Sequence, residues 1–271
     1  MNFAAYDEDR DKVIQRALDN NTWMINVGTK MQTSKSAVDL ANKYSEGVYA
    51  IIGLHPIHSN ASFHDKDEIG EEGDPFTSSG EDFDRDFYSE LIKDPKVVGV
   101  GECGLDFFRI PNGAEGEEFI KRQRRAFGGQ IELACEADKP MMIHCRDAYQ
   151  EVLQLLRIHK MEYGDKLRGN FHFFAGTEDE AKQILDLGFN MSFTGVITFA
   201  RDYKKLVQYV PLERMFSETD CPYVTPEPHR GKRNEPLYVS EVVKKIAKIK
   251  GEDEEKVANQ LLENALDFFK I

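Results

Sequence analysis

Residues 97–106 have the sequence V-V-G-V-G-E-C-G-L-D, and the fold can be worked out from this stretch. Its first five residues are small or β-branched and almost entirely apolar, which is typical of a β-strand that is covered on both faces. Polar residues follow at once, beginning with Glu102 and ending with Asp106. The pattern predicts a buried strand that carries functional groups at its carboxyl end.

Six other short segments have the same apolar character, so the sequence predicts seven strands in total. They are W-M-I-N-V from Trp23, V-Y-A-I-I-G-L from Val48, M-M-I-H from Met141, N-F-H-F-F from Asn170, F-N-M-S-F from Phe189 and R-M-F-S-E from Arg214. Longer segments with helical periodicity lie between or after them. These predicted helices cover residues 7–19, 119–137, 148–158, 178–187 (after a Thr177 cap), 239–249 and 254–269.

Alternation of strands and helices favours a parallel sheet with crossover helices, either an open doubly wound sheet or a closed (β/α)8 barrel. The chain has no G-x-G-x-x-G after a strand and no Walker lysine motif, which argues against a nucleotide-binding sheet. We therefore predict an α/β fold of the TIM type, the (β/α)8 barrel, as a single domain over residues 1–271.

The composition is that of an ordinary globular protein, with 41% hydrophobic and 31% charged residues among 271. No apolar run approaches the ~18 residues of a membrane span, and the N-terminal residues do not resemble a secretion signal. The four cysteines are widely spaced, which suits reduced thiols, so we expect a cytoplasmic protein. The net charge of −13 argues against a broad, nonspecific nucleic-acid surface.

The acidic residues are concentrated between the second and third predicted strands. Residues 61–90 contain eleven Asp and Glu but only two basic residues, Lys66 and Arg85. With several Gly, Pro and Ser residues, this segment is predicted to be a solvated loop insertion, about residues 59–90. A regulatory or partner-binding loop is the alternative.

Histidine and carboxylate side chains follow five of the predicted strands, where a barrel of this type carries its active site. Imidazole and carboxylate ligands on separate, rigid strands suit Mg, Mn or Zn, so we predict a divalent metal site with one or two ions. No organic cofactor and no membrane partner is expected. The candidates at these strand ends are His55, Glu102, Asp106, His144, Arg146, Asp147, His172, Glu218 and Asp220.

The densest basic cluster, H-R-G-K-R-N-E-P from His229, follows the last predicted strand. Its backbone and its side chains Arg230, Lys232 and Arg233 are suited to a phosphate group. The alternative is a solvated loop whose charges pair with acidic neighbours. Cys103, Cys145 and Cys221 each follow a candidate ligand by one residue, so they are expected to point away from the site as packing residues.

The motifs G-L-H-P, G-E-C-G-L-D, H-C-R-D, N-F-H-F-F-A-G and S-E-T-D-C-P-Y, followed by P-H-R-G-K-R-N-E-P, resemble those of the TatD-type metal-dependent deoxyribonucleases. That family belongs to the amidohydrolase-like barrel superfamily, and the resemblance covers essentially the whole chain. It implies hydrolysis of phosphodiester bonds in DNA, often as an exonuclease. It also implies that Glu102 is shared between two metal positions, that His144 and His172 are ligands, and that Asp220 contacts metal and activates water.

We therefore predict Asp220 and Glu102 as catalytic residues and Glu102, His144, His172 and Asp220 as the metal ligands. The predicted substrate-binding residues, which orient the phosphate, are His55, Arg146, His229 and Arg230.

The chain departs from the family pattern at its start, because the family's first strand ends in an H-x-H pair that this sequence lacks. The barrel is thus expected to lack its first strand here, in agreement with the count of seven strands. Either Met1 is an internal methionine of a longer protein, or the protein is genuinely shortened and has one metal position. The second case predicts impaired catalysis. Two further alternatives are a related hydrolase that acts on an amide or small phosphoester, and a non-catalytic protein that binds partners through residues 61–90.

Overall fold

A computed structural model describes residues 1–60, 62–64, 76–78 and 80–271. The chain divides into two compact units, which are described separately below. The first unit contains Met1–Glu8 and Met24–Gly169, and the second contains Asp9–Trp23 and Asn170–Ile271. Within the described residues, no helix has the length and apolar character that crossing a membrane requires.

The first unit is built on four parallel strands, β1 (Met24–Val27), β2 (Val48–Ile52), β5 (Val97–Asp106) and β6 (Met141–Arg146). Each of them pairs with the next in parallel register. Two short strands, β3 (Ser62–His64) and β4 (Phe76–Ser78), form a separate antiparallel pair. Parallel pairing places the carboxyl ends of the four main strands at one edge of their sheet.

Strand β5 is buried along its length except at Glu102, whose partial exposure marks the one position where the strand opens towards solvent. Two residues further on, Gly104 has a φ of +139°, and a Cβ there would lie 2.0 Å from the carbonyl oxygen of His144. Only glycine permits that approach. The strands that carry Glu102 and His144 can therefore pack closely at this point.

The helices of the first unit follow its strands: α2 (Met31–Ala41), α3 (Arg85–Leu91), α4 (Ala114–Glu136) and α5 (Tyr149–Tyr163). Helix α4 buries one stripe of its surface, including Phe127 and Ile131, which are fully covered. Burial of this kind contributes on the order of 2 kcal/mol for each large apolar side chain.

The prediction of a solvated loop over residues 61–90 is wrong at its end, where Arg85–Leu91 form α3. The Asp84 side chain accepts a hydrogen bond from the Phe87 backbone N–H at 2.9 Å, so one of the acidic residues is a helix cap. Tyr88 is fully buried, and its hydroxyl donates to the Gly53 carbonyl at 3.0 Å. Residues 61, 65–75 and 79 of the predicted loop lie outside the described residues, and so does its proposed role in binding a partner.

The second unit contains three parallel strands, β7 (Gly169–Phe171, whose first residue belongs to the first unit), β8 (Asn190–Phe193) and β9 (Met215–Ser217). Its helices are α1 (Arg10–Asp19), α6 (Glu178–Asp186), α7 (Tyr203–Tyr209), α8 (Val239–Lys250) and α9 (Glu254–Phe269). The apolar side chains Phe171, Phe189 and Phe193 are almost completely covered.

All seven predicted strands are present in the described residues, and the two short strands β3 and β4 were not predicted. All six predicted helices are also present, with ends that shift by a few residues. The predicted cap at Thr177 is confirmed, since its hydroxyl accepts from the Glu180 N–H at 3.2 Å. Helices α2, α3 and α7 were missed. The alternation of parallel strands and helices confirms the α/β class.

Candidate metal centre

Three side chains of the first unit converge: His55, three residues after β2, Glu102 within β5 and His144 within β6. One nitrogen or oxygen ligand atom from each lies within 4.8 Å of the other two. His144 Nδ1 is 2.9 Å from Glu102 Oε1, and His55 Nε2 is 3.2 Å from the same oxygen. Two imidazoles and a carboxylate that are largely buried form a donor set that fits a divalent metal.

Asp106 holds His144 from the other side of the imidazole ring. Its Oδ2 atom is 2.9 Å from His144 Nε2, and its Oδ1 accepts from the Phe108 backbone N–H at 3.0 Å. Gln123 fixes the strand end itself, because its side-chain amide bonds both the N–H and the carbonyl of Asp106. Such a carboxylate–histidine pair sets the orientation of a metal-binding imidazole.

Asp106 was among the strand-end candidates but was given no catalytic, metal-binding or substrate-binding role, although a signal for its place beside Glu102 exists in the sequence. Glu102 and Asp106 are four positions apart in one strand, and side chains at even spacing point to the same face. The alternation that predicted Cys103 as a packing residue also indicates Asp106 as a neighbour of Glu102. Cys103 is indeed fully buried, and burial raises the pKa of its thiol above the ordinary range.

The carboxylates dominate the charge state of His144. Burial alone would lower the pKa of His144, but the hydrogen bonds to Asp106 and Glu102 outweigh it and raise that pKa to about 9. Burial also tends to raise the pKa of Asp106, yet the hydrogen bond from His144 lowers it overall. The two carboxylates thus favour the protonated form of the His144 imidazole, and a metal bound by this side chain would compete with a proton.

His55 differs from His144 in both pKa and hydrogen bonding. Burial lowers the pKa of His55, so its imidazole is neutral. Its Nδ1 accepts from the Ile57 backbone N–H at 3.2 Å, which assigns the proton to Nε2, where it is donated to Glu102. In this arrangement His55 orients Glu102. Direct metal binding through Nε2 requires the opposite tautomer and the loss of the Ile57 hydrogen bond.

A similar carboxylate–histidine pair occurs in the second unit. His172 Nδ1 donates to Glu218 Oε2 at 3.0 Å, while its Nε2 lies 3.8 Å from Asp220 Oδ1. The second oxygen of Glu218 accepts from the Phe173 backbone N–H at 2.7 Å. The bond to Glu218 orients the imidazole of His172 with its Nε2 atom towards Asp220. Glu218 was a strand-end candidate without an assigned role, although it is two residues before Asp220.

Asp220 lies in a loop whose backbone is held by Asn234. Asp220 has a φ of +54°, a conformation that costs free energy for residues other than glycine. The buried Asn234 side chain donates to the carbonyls of Thr219 and Tyr223, at 2.8 and 2.6 Å. The N–H of Tyr223 in turn donates to the Asp220 carbonyl. These bonds on both sides of Asp220 stabilise its unusual conformation.

In the structure, three of the predicted phosphate-binding residues lie against aromatic rings. The Arg146 guanidinium lies over the Phe108 ring, 3.5 Å from its centre, and Arg230 lies over Phe199 at 4.0 Å. The His229 ring stacks on Tyr238 with centres 3.9 Å apart.

Arg233 is a structural residue, contrary to the suggestion that it receives a phosphate. Its guanidinium makes a bidentate ion pair with Asp9, at 2.8 and 2.7 Å. The alternative of pairing with acidic neighbours therefore holds for this member of the basic cluster.

Glu102 and His144 are thus brought together in the first unit, and His172 and Asp220 in the second. Within the part of the chain that is described, the group of three formed by His55, Glu102 and His144 is the one identified as able to hold a metal ion. The larger ligand set that also includes His172 and Asp220 stays a prediction.

Comparisons with known proteins show the family of the chain. The model of the family described as TatD related DNase matches residues 1–270. A Bacillus subtilis protein named uncharacterized metal-dependent hydrolase YabD is 34% identical, over 100% of this chain and 96% of its own length. The Citrobacter koseri protein named 3'-5' ssDNA/RNA exonuclease TatD is 32% identical, over 97% of this chain and 94% of its own.

Among solved structures, the TatD homologue YJJV from Escherichia coli K12 superimposes with a TM-score of 0.80. It is 23% identical, and the match covers 100% of this chain and 95% of that one. A TatD-family hydrolase from Entamoeba histolytica has a TM-score of 0.72 at 24% identity, over 97% of this chain and 90% of that one. At such identities the likeness concerns the fold, and it confirms the predicted TIM-type α/β class.

Proposed function

The chain belongs to the TatD related DNase family of metal-dependent hydrolases, and we propose that it hydrolyses phosphodiester bonds in DNA as an exonuclease. The observation that carries this proposal is the convergence of His55, Glu102 and His144 within 4.8 Å. Hydrolysis of a phosphodiester needs a nucleophilic water and neutralisation of the phosphoryl charge. A bound divalent metal, for which we propose Mg, Mn or Zn, supplies both as a Lewis acid that lowers the pKa of water.

The first unit's residues serve to hold the metal. Glu102 and His144 provide ligand atoms, and the ion compensates the negative charge that Glu102 and Asp106 place beside an anionic substrate. His55 orients Glu102 or completes the donor set. The names of the relatives support a nucleic-acid substrate, since one is called an ssDNA/RNA exonuclease, whereas others are named only as hydrolases.

We assign Asp220 as the general base. Its carboxylate takes a proton from the attacking water, the water oxygen bonds to phosphorus, and the bond from phosphorus to the sugar oxygen breaks. The leaving sugar oxygen takes up a proton from solvent to form the alcohol. His172 and Asp220 are also proposed as metal ligands, as the family resemblance implies. Arg146, His229 and Arg230 orient the phosphate through N–H donors. A cytoplasmic location remains part of the proposal, and all four cysteines are free thiols.

The test is cleavage of end-labelled single-stranded DNA with Mg or Mn by the wild type and by Asp220→Ala. We expect the wild type to release short products from an end, to leave circular single strands intact, and to lose activity with a chelator. Asp220→Ala should lose about 100-fold or more in rate, the typical contribution of a general base. The control is Asp267→Ala, at an exposed position of α9. Unchanged activity of Asp220→Ala would refute its role.

Two further measurements, an assay with other substrates and calorimetry with Mn, separate the alternatives. If DNA stays intact while small phosphoesters or amides release phosphate or amine, the chain is a hydrolase of another specificity. If calorimetry detects no Mn binding and no substrate is cleaved, the non-catalytic alternative is correct.

A further inference from the structure

Phe108 is an aromatic side chain that the fold leaves half in solvent. Its exposed fraction is 49%, although it follows directly after the buried strand β5. The guanidinium carbon of Arg146 is 3.5 Å from its ring centre, and that of Arg109 is 5.8 Å away. Cations are attracted to the faces of aromatic rings, and both guanidinium groups lie near this exposed ring.

Asp106 joins this ring to the candidate metal centre. One oxygen of Asp106 accepts from the Phe108 backbone N–H, and the other lies 2.9 Å from His144 Nε2. Arg146 pairs with Asp106 in the parallel register of β5 and β6, and its carbonyl accepts from the Phe107 N–H at 2.8 Å. The position of the ring relative to His144 is therefore fixed by hydrogen bonds and by strand pairing.

We propose that Phe108, together with Arg146, is a stacking platform for an unpaired base of a single-stranded nucleic acid. This inference rests on the proposed function and specifies the substrate class of the same site. An exposed aromatic ring binds any base through its face, because every base has a π surface. Bases inside a duplex already stack on their neighbours, so the platform selects single strands.

The stacked position of Arg146 supports both parts of such a contact. The guanidinium carbon of Arg146 is 3.5 Å from the Phe108 ring centre, and the group has five N–H donors in a planar arrangement. Those donors are suited to a phosphate oxygen of the nucleotide whose base lies on Phe108. One pair of residues thus recognises base and backbone together.

The second unit contains the same combination of residues. Arg230 lies over Phe199, whose exposed fraction is 37%. Among the described residues, an arginine thus lies over an exposed phenylalanine in both units.

The experiment measures binding of the full-length, metal-loaded protein by fluorescence anisotropy. The probes are a labelled short DNA strand with phosphorothioate linkages, which resist hydrolysis, and a matching strand with abasic sites. Phe108→Leu keeps an apolar side chain but removes the π face, and should weaken binding of the normal strand about 5- to 150-fold. Phe108→Tyr should restore it. Tyr209→Leu, which removes another exposed ring, is the control.

On the abasic strand, the wild type and Phe108→Leu should bind equally, because no base is present to stack. Equal affinity of the two proteins for the normal strand would overturn the inference, as would no detectable binding by the wild type. If Phe108→Leu lost the same amount of affinity for both strands, the inference would also be overturned, because such a loss indicates a contact to the backbone alone. Failure of the proposed nuclease function gives a different result from failure of this inference. In that case the unmodified strand binds in a Phe108-dependent way but is not cleaved.

Discussion

His144 Nε2 lies 2.9 Å from Asp106 Oδ2, and this pair links the ends of two neighbouring strands, β6 and β5. The distance is that of a strong, charge-assisted hydrogen bond. It fixes the imidazole so that its other nitrogen, Nδ1, is 2.9 Å from Glu102. The orientation of the candidate metal ligand is therefore set by a carboxylate that does not belong to the group of three itself.

Asp106→Ala should weaken Mn binding by about 10- to 100-fold, because the imidazole loses the group that orients it. Isothermal titration calorimetry measures this change directly. Asp106→Asn should have a smaller effect, since its amide oxygen can still accept one hydrogen bond. The strand end should keep its place in both variants, because Gln123 bonds the backbone of residue 106. Asp165→Ala, at an exposed site, is the control, and equal affinities in all four proteins would contradict the orienting role.

His55→Gln should largely retain Mn affinity. The hydrogen bond from Ile57 places the proton of His55 on Nε2, so the side chain acts as a donor to Glu102, and glutamine can provide the same donor. His55→Ala removes the donor and should reduce affinity. If His55 is instead a metal ligand, the Mn affinity of both variants should fall by about 10-fold or more. Calorimetry with Mn distinguishes the two results, with His159→Gln on helix α5 as the control.

Glu218→Gln should destabilise the protein by about 1–3 kcal/mol, the cost of a buried donor without its partner. Glu218 accepts from both His172 Nδ1 and the Phe173 N–H, and an amide has one oxygen instead of two. Phe173 also has a φ of +45°, so its backbone depends on that support.

Urea unfolding measures the change, and Glu213→Gln, at an exposed position, is the matched control. An unchanged unfolding midpoint in Glu218→Gln would show that the two donors find other partners.

The sequence was sufficient to predict the seven parallel strands, because each contains a short, largely apolar run, whereas the short strands β3 and β4 were not predicted. It also identified Glu102 and His144, since both follow such runs directly and parallel pairing places strand ends together. Helix α3 was missed for a physical reason. Its segment is strongly acidic, which indicated a solvated loop, but one of those acids caps the helix and Tyr88 anchors it.

Pairing over long distances in the sequence was not accessible to the same reasoning. Arg233 and Asp9 are 224 positions apart, and nothing in the local pattern indicates that they form an ion pair. The tautomer of His55 likewise depends on the turn that brings the Ile57 N–H to Nδ1. Such roles follow from tertiary geometry, whereas residue type and spacing identified the candidates.

The ion pair between Asp9 and Arg233 should make stability depend on pH in the acid range. The hydrogen bond from Arg233 holds the pKa of Asp9 below its ordinary value of 3.8. A carboxyl group whose pKa is lower in the folded state contributes stability that is complete above the unfolded pKa. That contribution is lost as the pH falls through the folded value.

Asp9→Asn should therefore lower the free energy of unfolding at neutral pH by up to about 1 kcal/mol, since both side chains are about one-third exposed and solvent screens the pair. The difference from the wild type should shrink as the pH falls below 3.8, which urea unfolding at neutral and acid pH can measure. Asp202→Asn, at an exposed site, should show no such trend. A difference between wild type and Asp9→Asn that is the same at every pH would mean that the carboxylate charge contributes nothing and that only its shape matters.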